Sequence, residues 1–300
     1  MNNIIIGIPY EFLDYQKNIP LIPRDIKKLI NNLKIPVYMQ DKIFDNAFYK
    51  KEDYTNLGVN ILEDINELYD KCNFIIKINE LDETEYYLIN NKHTIICFIN
   101  TDKFINYCIN NYINIISYNC INDNIISKLY ETNIVNFFNQ NNYENSNILV
   151  IGDNYSAKYF IKIFEKLNLN YKVCSYNKIN SKYFQFNNRN LKKLLFESNI
   201  IFNFTTIDKK LLNYIDNNNS YIQFNNNYEI DNYYKQIQKN NYKLYLINKR
   251  FFNLYPDLIS NIISEILYNY IDYNIRNKTT LNYTLYNGIL IHKLHKDFII

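Results

Sequence analysis

Tryptophan is absent from this 300-residue chain, which has only 4 glycines, 5 prolines, 2 methionines and 3 histidines. So little Gly and Pro excludes a collagen-like fibre. No run reaches the ~18–20 apolar residues of a membrane-spanning helix, because Asn, Lys or Asp interrupts every stretch. The 5 cysteines (Cys72, Cys97, Cys108, Cys120, Cys174) form no C-x-x-C pair, and an odd number argues against a disulfide framework. His93, His292 and His295 lack the spacing of metal ligands, so no structural zinc is expected. His93 itself lies in the polar run NNKHT and is expected at the surface. With 33 basic and 30 acidic side chains the net charge is +3, and without a basic stripe that is a poor footprint for nucleic acid. The N-terminus has no basic n-region and soon reaches Glu11 and Asp14, unlike a secretory signal. A soluble cytoplasmic protein without membrane or nucleic-acid partners is therefore expected.

What is present is apolar and aromatic. Hydrophobic residues make up 47% of the chain, 31 of them Tyr, enough to bury a core and exclude wholesale disorder. Asn, Ile, Lys and Tyr crowd out Ala, Gly and Arg, a usage that points to AT-rich coding. The short Asn runs 217–219 and 225–227 fit that bias better than a prion-like tract. Against this background each remaining Gly or Pro is more informative than usual. The length suits one large domain or two of ordinary size.

The pattern along the chain alternates. Asn3–Pro9 (NIIIGIP) reads as a buried strand. Pro23–Leu33 reads as a helix, with Ile26, Leu29, Ile30 and Leu33 at helical spacing. IPVYMQ is a strand, Glu52–Gly58 a helical turn closed by Gly58, and VNIL, CNFIIKI and TIICFI are strands separated by short helices. A long helix is expected from Asn122 to about Asn142, ended by the polar cluster Asn139–Asn147. NILVIG (Asn147–Gly152), the helix SAKYFIKIFEKLN and YKVCSY form a βαβ unit. SNIIFNFTT, SYIQFN and YKLYLIN supply later strands, a final helix runs from Pro256 to about Tyr273, and a strand-like tail turns at Gly288. The expected fold is α/β, with two Rossmann-like domains, each with a mostly parallel sheet, separated by a cleft. The domains are 1–142 completed by 256–300, and 143–255.

A dinucleotide site needs a strand that stops at a tight Gly turn and enters a helix whose N-terminal N–H groups face the pyrophosphate. Against G-x-G-x-x-G/A the second βαβ unit reads G-D-N-Y-S-A, placing Gly152, Asn154 and Ala157 at the three positions, with Ser156 alongside. Asn tolerates the left-handed conformation and can preserve the turn, although its side chain would crowd the pyrophosphate. Where an acidic residue would grip the ribose, Ser175, Tyr176 and Asn177 stand, followed by Lys178. Without that carboxylate NADP(H) is expected over NAD(H), and a Rossmann domain that has lost its nucleotide is the other reading.

In order along the chain, GIPYE, NIPLIPRDIKKL, YKKEDYTNLGVNI (with Asp53, Tyr54 and Gly58), FIIKINE and LYPDLISNIISEILYNYI resemble motifs of the alanine dehydrogenase, transhydrogenase and lysine-forming saccharopine dehydrogenase superfamily. The nearest in length is its short N5-(carboxyethyl)ornithine synthase branch. The resemblance implies a substrate-binding first domain completed by the C-terminal segment, and a second domain for the nicotinamide cofactor. It implies a small-molecule amino acid and a keto acid as partners, joined by reductive condensation; a homo-oligomer is expected. It places the family's substrate-binding Arg on Asn18 and its catalytic His on Asn100, while Thr101 stands one register away. The strand-end Lys is kept as Lys77, the remaining acid/base or carboxylate anchor, unless it is an ordinary Lys reaching solvent. Asn203, after SNIIF, is expected beside the nicotinamide. Loss of the Arg and His leaves a second reading open: a catalytically inactive Rossmann-fold descendant serving nucleotide sensing or protein interaction.

Overall fold

The computed structural model describes residues 4–11, 17–45, 47–99, 101–122, 125–141, 146–176, 181–205, 220–223, 244–247 and 255–277. The chain divides into two compact units, Met1–Leu129 with Tyr255–Ile300, and Tyr130–Leu254.

The first unit contains β1 (Ile6–Ile8), α1 (Pro23–Leu33), β2 (Val37–Gln40), α2 (Lys51–Thr55), β3 (Asn60–Leu62), α3 (Ile65–Lys71), β4 (Phe74–Asn79), β5 (Thr94–Phe98), α4 (Asp102–Asn110), β6 (Asn114–Ser117) and α5 (Tyr118–Ile121). Its strands pair in the order β3-β2-β1-β4-β5-β6, every pairing parallel. β1, β4, β5 and β6 are Ile-rich and largely buried, as a sheet covered by helices requires, while the edge strand β3 is partly exposed. Gly7 in β1 allows the closest approach: a Cβ there would stand 2.8 Å from the Cys72 Cβ at the end of α3. Leu68, Cys72, Ile75, Ile95, Phe104 and Ile115 pack in one core cluster.

A helix far along the chain completes this unit. α6 (Ile125–Asn141) begins in it, and the last helix, here α9, spans Pro256–Arg276. α1 starts with Pro23 and has no side-chain cap of its own. Ser264 Oγ on α9 accepts instead from the Ile22 amide (3.0 Å) and donates to Asp25 Oδ2 (2.8 Å). Ser260 Oγ accepts from the Ile19 amide (2.9 Å). Asp25 is inaccessible and also receives Arg24 and Lys28 at 2.8 Å each. Burial pushes its carboxyl up, but these donors together hold it below its ordinary 3.8.

The second unit contains β7 (Ile148–Ile151), α7 (Tyr155–Lys166), β8 (Tyr171–Ser175), β9 (Tyr183–Gln185), α8 (Asn188–Glu197), β10 (Ile200–Asn203), β11 (Ser220–Gln223) and β12 (Leu244–Ile247). Its strand order is β12-β11-β10-β7-β8-β9, again all parallel. Counted from the first strand of each unit, both sheets run 3-2-1-4-5-6, the doubly wound order of dinucleotide-binding folds. The α/β class with two parallel sheets is thus as expected. β6, β9 and α8 are elements that the sequence reading passed over. The strand-like tail around Gly288 and the Asn runs lie outside the described residues. Among the described residues, no helix is long and apolar enough to cross a membrane.

Candidate functional site

In a doubly wound sheet ligands bind beyond the carboxyl ends of the strands, where the strand order reverses. In the first unit that point lies between β1 and β4. β1 runs into Pro9, Tyr10 and Glu11, and Glu11 crosses to the end of β4. Its Oε1 accepts from the Ile78 amide (2.6 Å) and its Oε2 from Asn79 Nδ2 (3.1 Å). Burial raises the Glu11 carboxyl above its ordinary 4.5, opposed by the Lys77 charge and the Ile78 and Asn79 hydrogen bonds.

Lys77 lies in β4 with 1% of its surface exposed. Its Nζ donates to both oxygens of Glu85 (2.7 and 2.8 Å). Glu85 is equally buried, and its Oε2 also accepts from the Asp82 amide (2.9 Å) at the head of a 3-10 turn. Tyr118 donates its hydroxyl to the Lys77 carbonyl (2.9 Å). Lys77 therefore does not reach solvent as an ordinary strand-end Lys would; it is one half of an internal ion pair.

Asn18 is 6% exposed and lines a pocket of about 20 Å³ together with Tyr10, Glu11, Lys17 and Ile43. That volume holds a water-sized group. Glu11 is the link the sequence reading left without a role: it belongs both to the wall around Asn18 and to the strand end after Lys77. The pattern GIPYE contained it, and its distance from Lys77 in sequence hid the connection.

Asn100 lies outside the described residues. Thr101 caps α4, its Oγ1 accepting from the Phe104 amide (3.3 Å), while its own amide donates to Glu80 Oε2 (3.1 Å). His93 corrects an expectation: it is fully buried rather than at the surface. Its Nδ1 accepts from the Asn90 amide and its Nε2 lies 2.9 Å from the Tyr69 carbonyl. That pairing fixes the neutral Nε2–H tautomer, and burial lowers its pKa below 6.5. The polar neighbours form a turn that folds the ring inward.

In the second unit the reversal lies between β7 and β10. Gly152 ends β7 with φ +103°, and a Cβ there would meet Phe204 and Thr205 at 3.4 to 3.6 Å. Its amide donates to the Cys174 carbonyl (2.9 Å). Asn154 is not left-handed, as the sequence reading supposed, but extended at φ −66°. It is the N-cap of α7: Oδ1 accepts from the Ala157 amide (2.9 Å) and Nδ2 donates to the Phe204 carbonyl (3.1 Å). Gly152 alone makes the tight turn, and Asn154 starts the helix. Ser156 belongs to the first turn of α7, and Ala157 is fully buried, which allows close helix packing. Asn203, the last residue of β10, is also fully buried. Its Nδ2 donates to the Tyr221 hydroxyl (2.7 Å) and its Oδ1 accepts from the Thr205 amide (3.1 Å). Ser175 ends β8 and is buried, whereas Tyr176 is exposed and rests against Phe186, ring centres 4.8 Å apart. Asn177 lies outside the described residues.

The strand order, the glycine turn with its positive φ and the helix entering behind it fit a nicotinamide dinucleotide. Backbone of the Gly152 turn and of the α7 N-terminus would hold its pyrophosphate. The fold is that of two-sheet dehydrogenases. Residues 7–129 match the family described as alanine dehydrogenase/PNT, N-terminal domain. Among solved structures the chain is similar to a transhydrogenase from Sinorhizobium meliloti, at 9% identity and a TM-score of 0.58, over 90% of this chain and 94% of that one. It is similar to an L-alanine dehydrogenase at 10% identity and 0.58, over 95% and 93%. It also resembles the dipicolinate synthase A chain from Bacillus subtilis, at 13% identity and 0.53, over 92% and 98%. No curated protein matches the chain in sequence. The family match falls on the first unit, and the solved structures share the two-sheet fold.

Proposed function

We propose that this protein is a nicotinamide-dependent, amino-acid dehydrogenase-like oxidoreductase acting on a C–N bond. The observation that carries this reading is one chain joining a domain of the alanine dehydrogenase/PNT N-terminal type to a second doubly wound sheet with a glycine turn after its first strand. In the finer form of the proposal, an amino-acid amine is condensed reductively with a 2-keto acid, as in carboxyethylornithine synthases. When bound, the nicotinamide supplies hydride exchange at the substrate carbon.

The chain's own groups have separate tasks in this reading. Gly152, Asn154, Ser156 and Ala157 surround the pyrophosphate, with Asn177 and Asn203 toward the ribose and nicotinamide. Ser175 replaces the acidic residue that would repel a 2′-phosphate, so NADP(H) is favoured over NAD(H). Asn18 contacts substrate, and Lys77 with Asn100 stands at the reacting centre. For Lys77 to act as a base it must first give up a proton, since an ammonium bonded to Glu85 carries three N–H donors and no lone pair. Titrating the purified protein with NADPH and NADH by nucleotide fluorescence, then following NADPH consumption with ornithine or lysine plus pyruvate, tests the proposal. Binding followed by turnover supports it; no consumption with any amino acid and keto acid overturns the catalytic part.

A second reading, a non-catalytic descendant used for nucleotide sensing or protein interaction, is favoured by one observation: Lys77 is 1% exposed and held by Glu85. Nucleotide binding without turnover is its expected outcome.

A further inference from the structure

We infer that Asn154 is an internal latch on the nucleotide site, its carboxamide engaging the helix N-terminus that a dinucleotide's pyrophosphate would use. The inference rests on the nicotinamide reading above and concerns how that site is gated. An ordinary N-cap needs only a side-chain acceptor for an N–H of the first turn. Asn154 makes that bond to Ala157 and a second one, from Nδ2 to the Phe204 carbonyl. Phe204 follows β10, and β10 pairs with β7, Asn203 opposite Ile151. One carboxamide therefore ties the β7–α7 turn to the strand on the other side of the reversal point. In the G-x-G-x-x-G/A pattern this position is a glycine so that backbone can approach the pyrophosphate. Here a phosphate approaching the first turn meets a polar group already bonded there, and both bonds have to be exchanged.

The residue is placed to move. Asn154 is exposed, so its side chain can swing away without unpacking the core. Gly152 and Ala157, which set the turn and the helix packing, are buried and need not shift. The latch thus lowers affinity without destroying the site.

Asn154→Gly and Asn154→Asp test this directly. Gly is nearly as good an N-cap as Asn, so the fold survives, which thermal melting checks. Titrated by nucleotide fluorescence, Asn154→Gly is expected to bind NADPH about tenfold more tightly than the wild type, the equivalent of one net hydrogen bond that no longer has to be exchanged. Asn154→Asp keeps the acceptor for Ala157 but sets a negative charge beside a diphosphate, and is expected to bind about tenfold more weakly. A purely structural cap would give the reverse order, Asp holding the helix at least as well as Asn. Measurable binding that is equal in wild type and Asn154→Gly, or as tight in Asn154→Asp as in wild type, overturns the latch and leaves the cofactor reading intact. No binding of NADPH or NADH at millimolar concentration by wild type or either variant overturns the cofactor reading, and the latch with it.

Discussion

Lys77 and Glu85 are each 1% exposed, and a buried pair of this kind is strained by any change to one partner alone. Removing one member leaves an uncompensated charge and typically costs about 3–5 kcal/mol, whereas replacing both by apolar residues can be neutral. Glu85→Leu is therefore expected to lose about 3 kcal/mol or more in urea unfolding, with most of it recovered in Lys77→Met/Glu85→Leu; losses that simply add would show that the two do not act as a pair. Glu11 gives a prediction in pH. Its folded carboxyl titrates above 4.5 because of burial, so its contribution to stability is present below that value and fades as pH rises through the folded pKa. Compared with Glu11→Gln, the wild type should lose stability as pH rises from 4.5 through the folded pKa, read from urea midpoints at successive pH values. The sequence made Lys77 conspicuous as a charge at the end of an apolar strand. Its partner eight positions away on a 3-10 turn could not be read, because no periodicity links a strand to a turn. His93 misled for a related reason: flanking polar residues mark a turn, and turns are usually exposed, yet this ring satisfies two backbone groups inside the fold.

Elements were more legible than their joins. The helical spacing of Pro23–Leu33 and the apolar runs of β1, β4, β5 and β7 gave the alternation and hence the parallel sheets. α8 was passed over although Leu191, Leu194 and Leu195 stand at helical spacing. What no local pattern contains is the bond between α1 and α9, made by Ser260 and Ser264 across some 240 residues. Ser264→Ala leaves the Ile22 amide and one Asp25 oxygen without that partner, at an expected cost of about 1–3 kcal/mol. Urea unfolding measures it, and a loss below a few tenths would show that the clasp is decorative. Asp25 adds an acid dependence: held below 3.8, it contributes stability above that value and loses it as pH falls through the folded pKa.

For the whole molecule, the discontinuous first unit and the continuous second one behave differently when the chain is cut. A chain ending at residue 254 lacks α9. It should lose amide protection across β1–β6 and retain it across β7–β10 in hydrogen exchange. Equal protection in both sheets would show that α9 is dispensable. At this scale too the absence of a carboxylate after β8 is expected to make NADPH bind more tightly than NADH, as paired titrations would show.

The clasp of α9 on α1 also sets a timetable for synthesis. Chains emerge at about 5–20 residues per second, and domains generally fold in the order they appear. Here the first strands wait until the ribosome has delivered Ser260 and Ser264, roughly 7–27 seconds after residue 129 emerges. The second unit has all its residues available before then. The middle of this protein can therefore be folded while its beginning is still incomplete, leaving β1 and its neighbours in need of shelter on the way out of the ribosome.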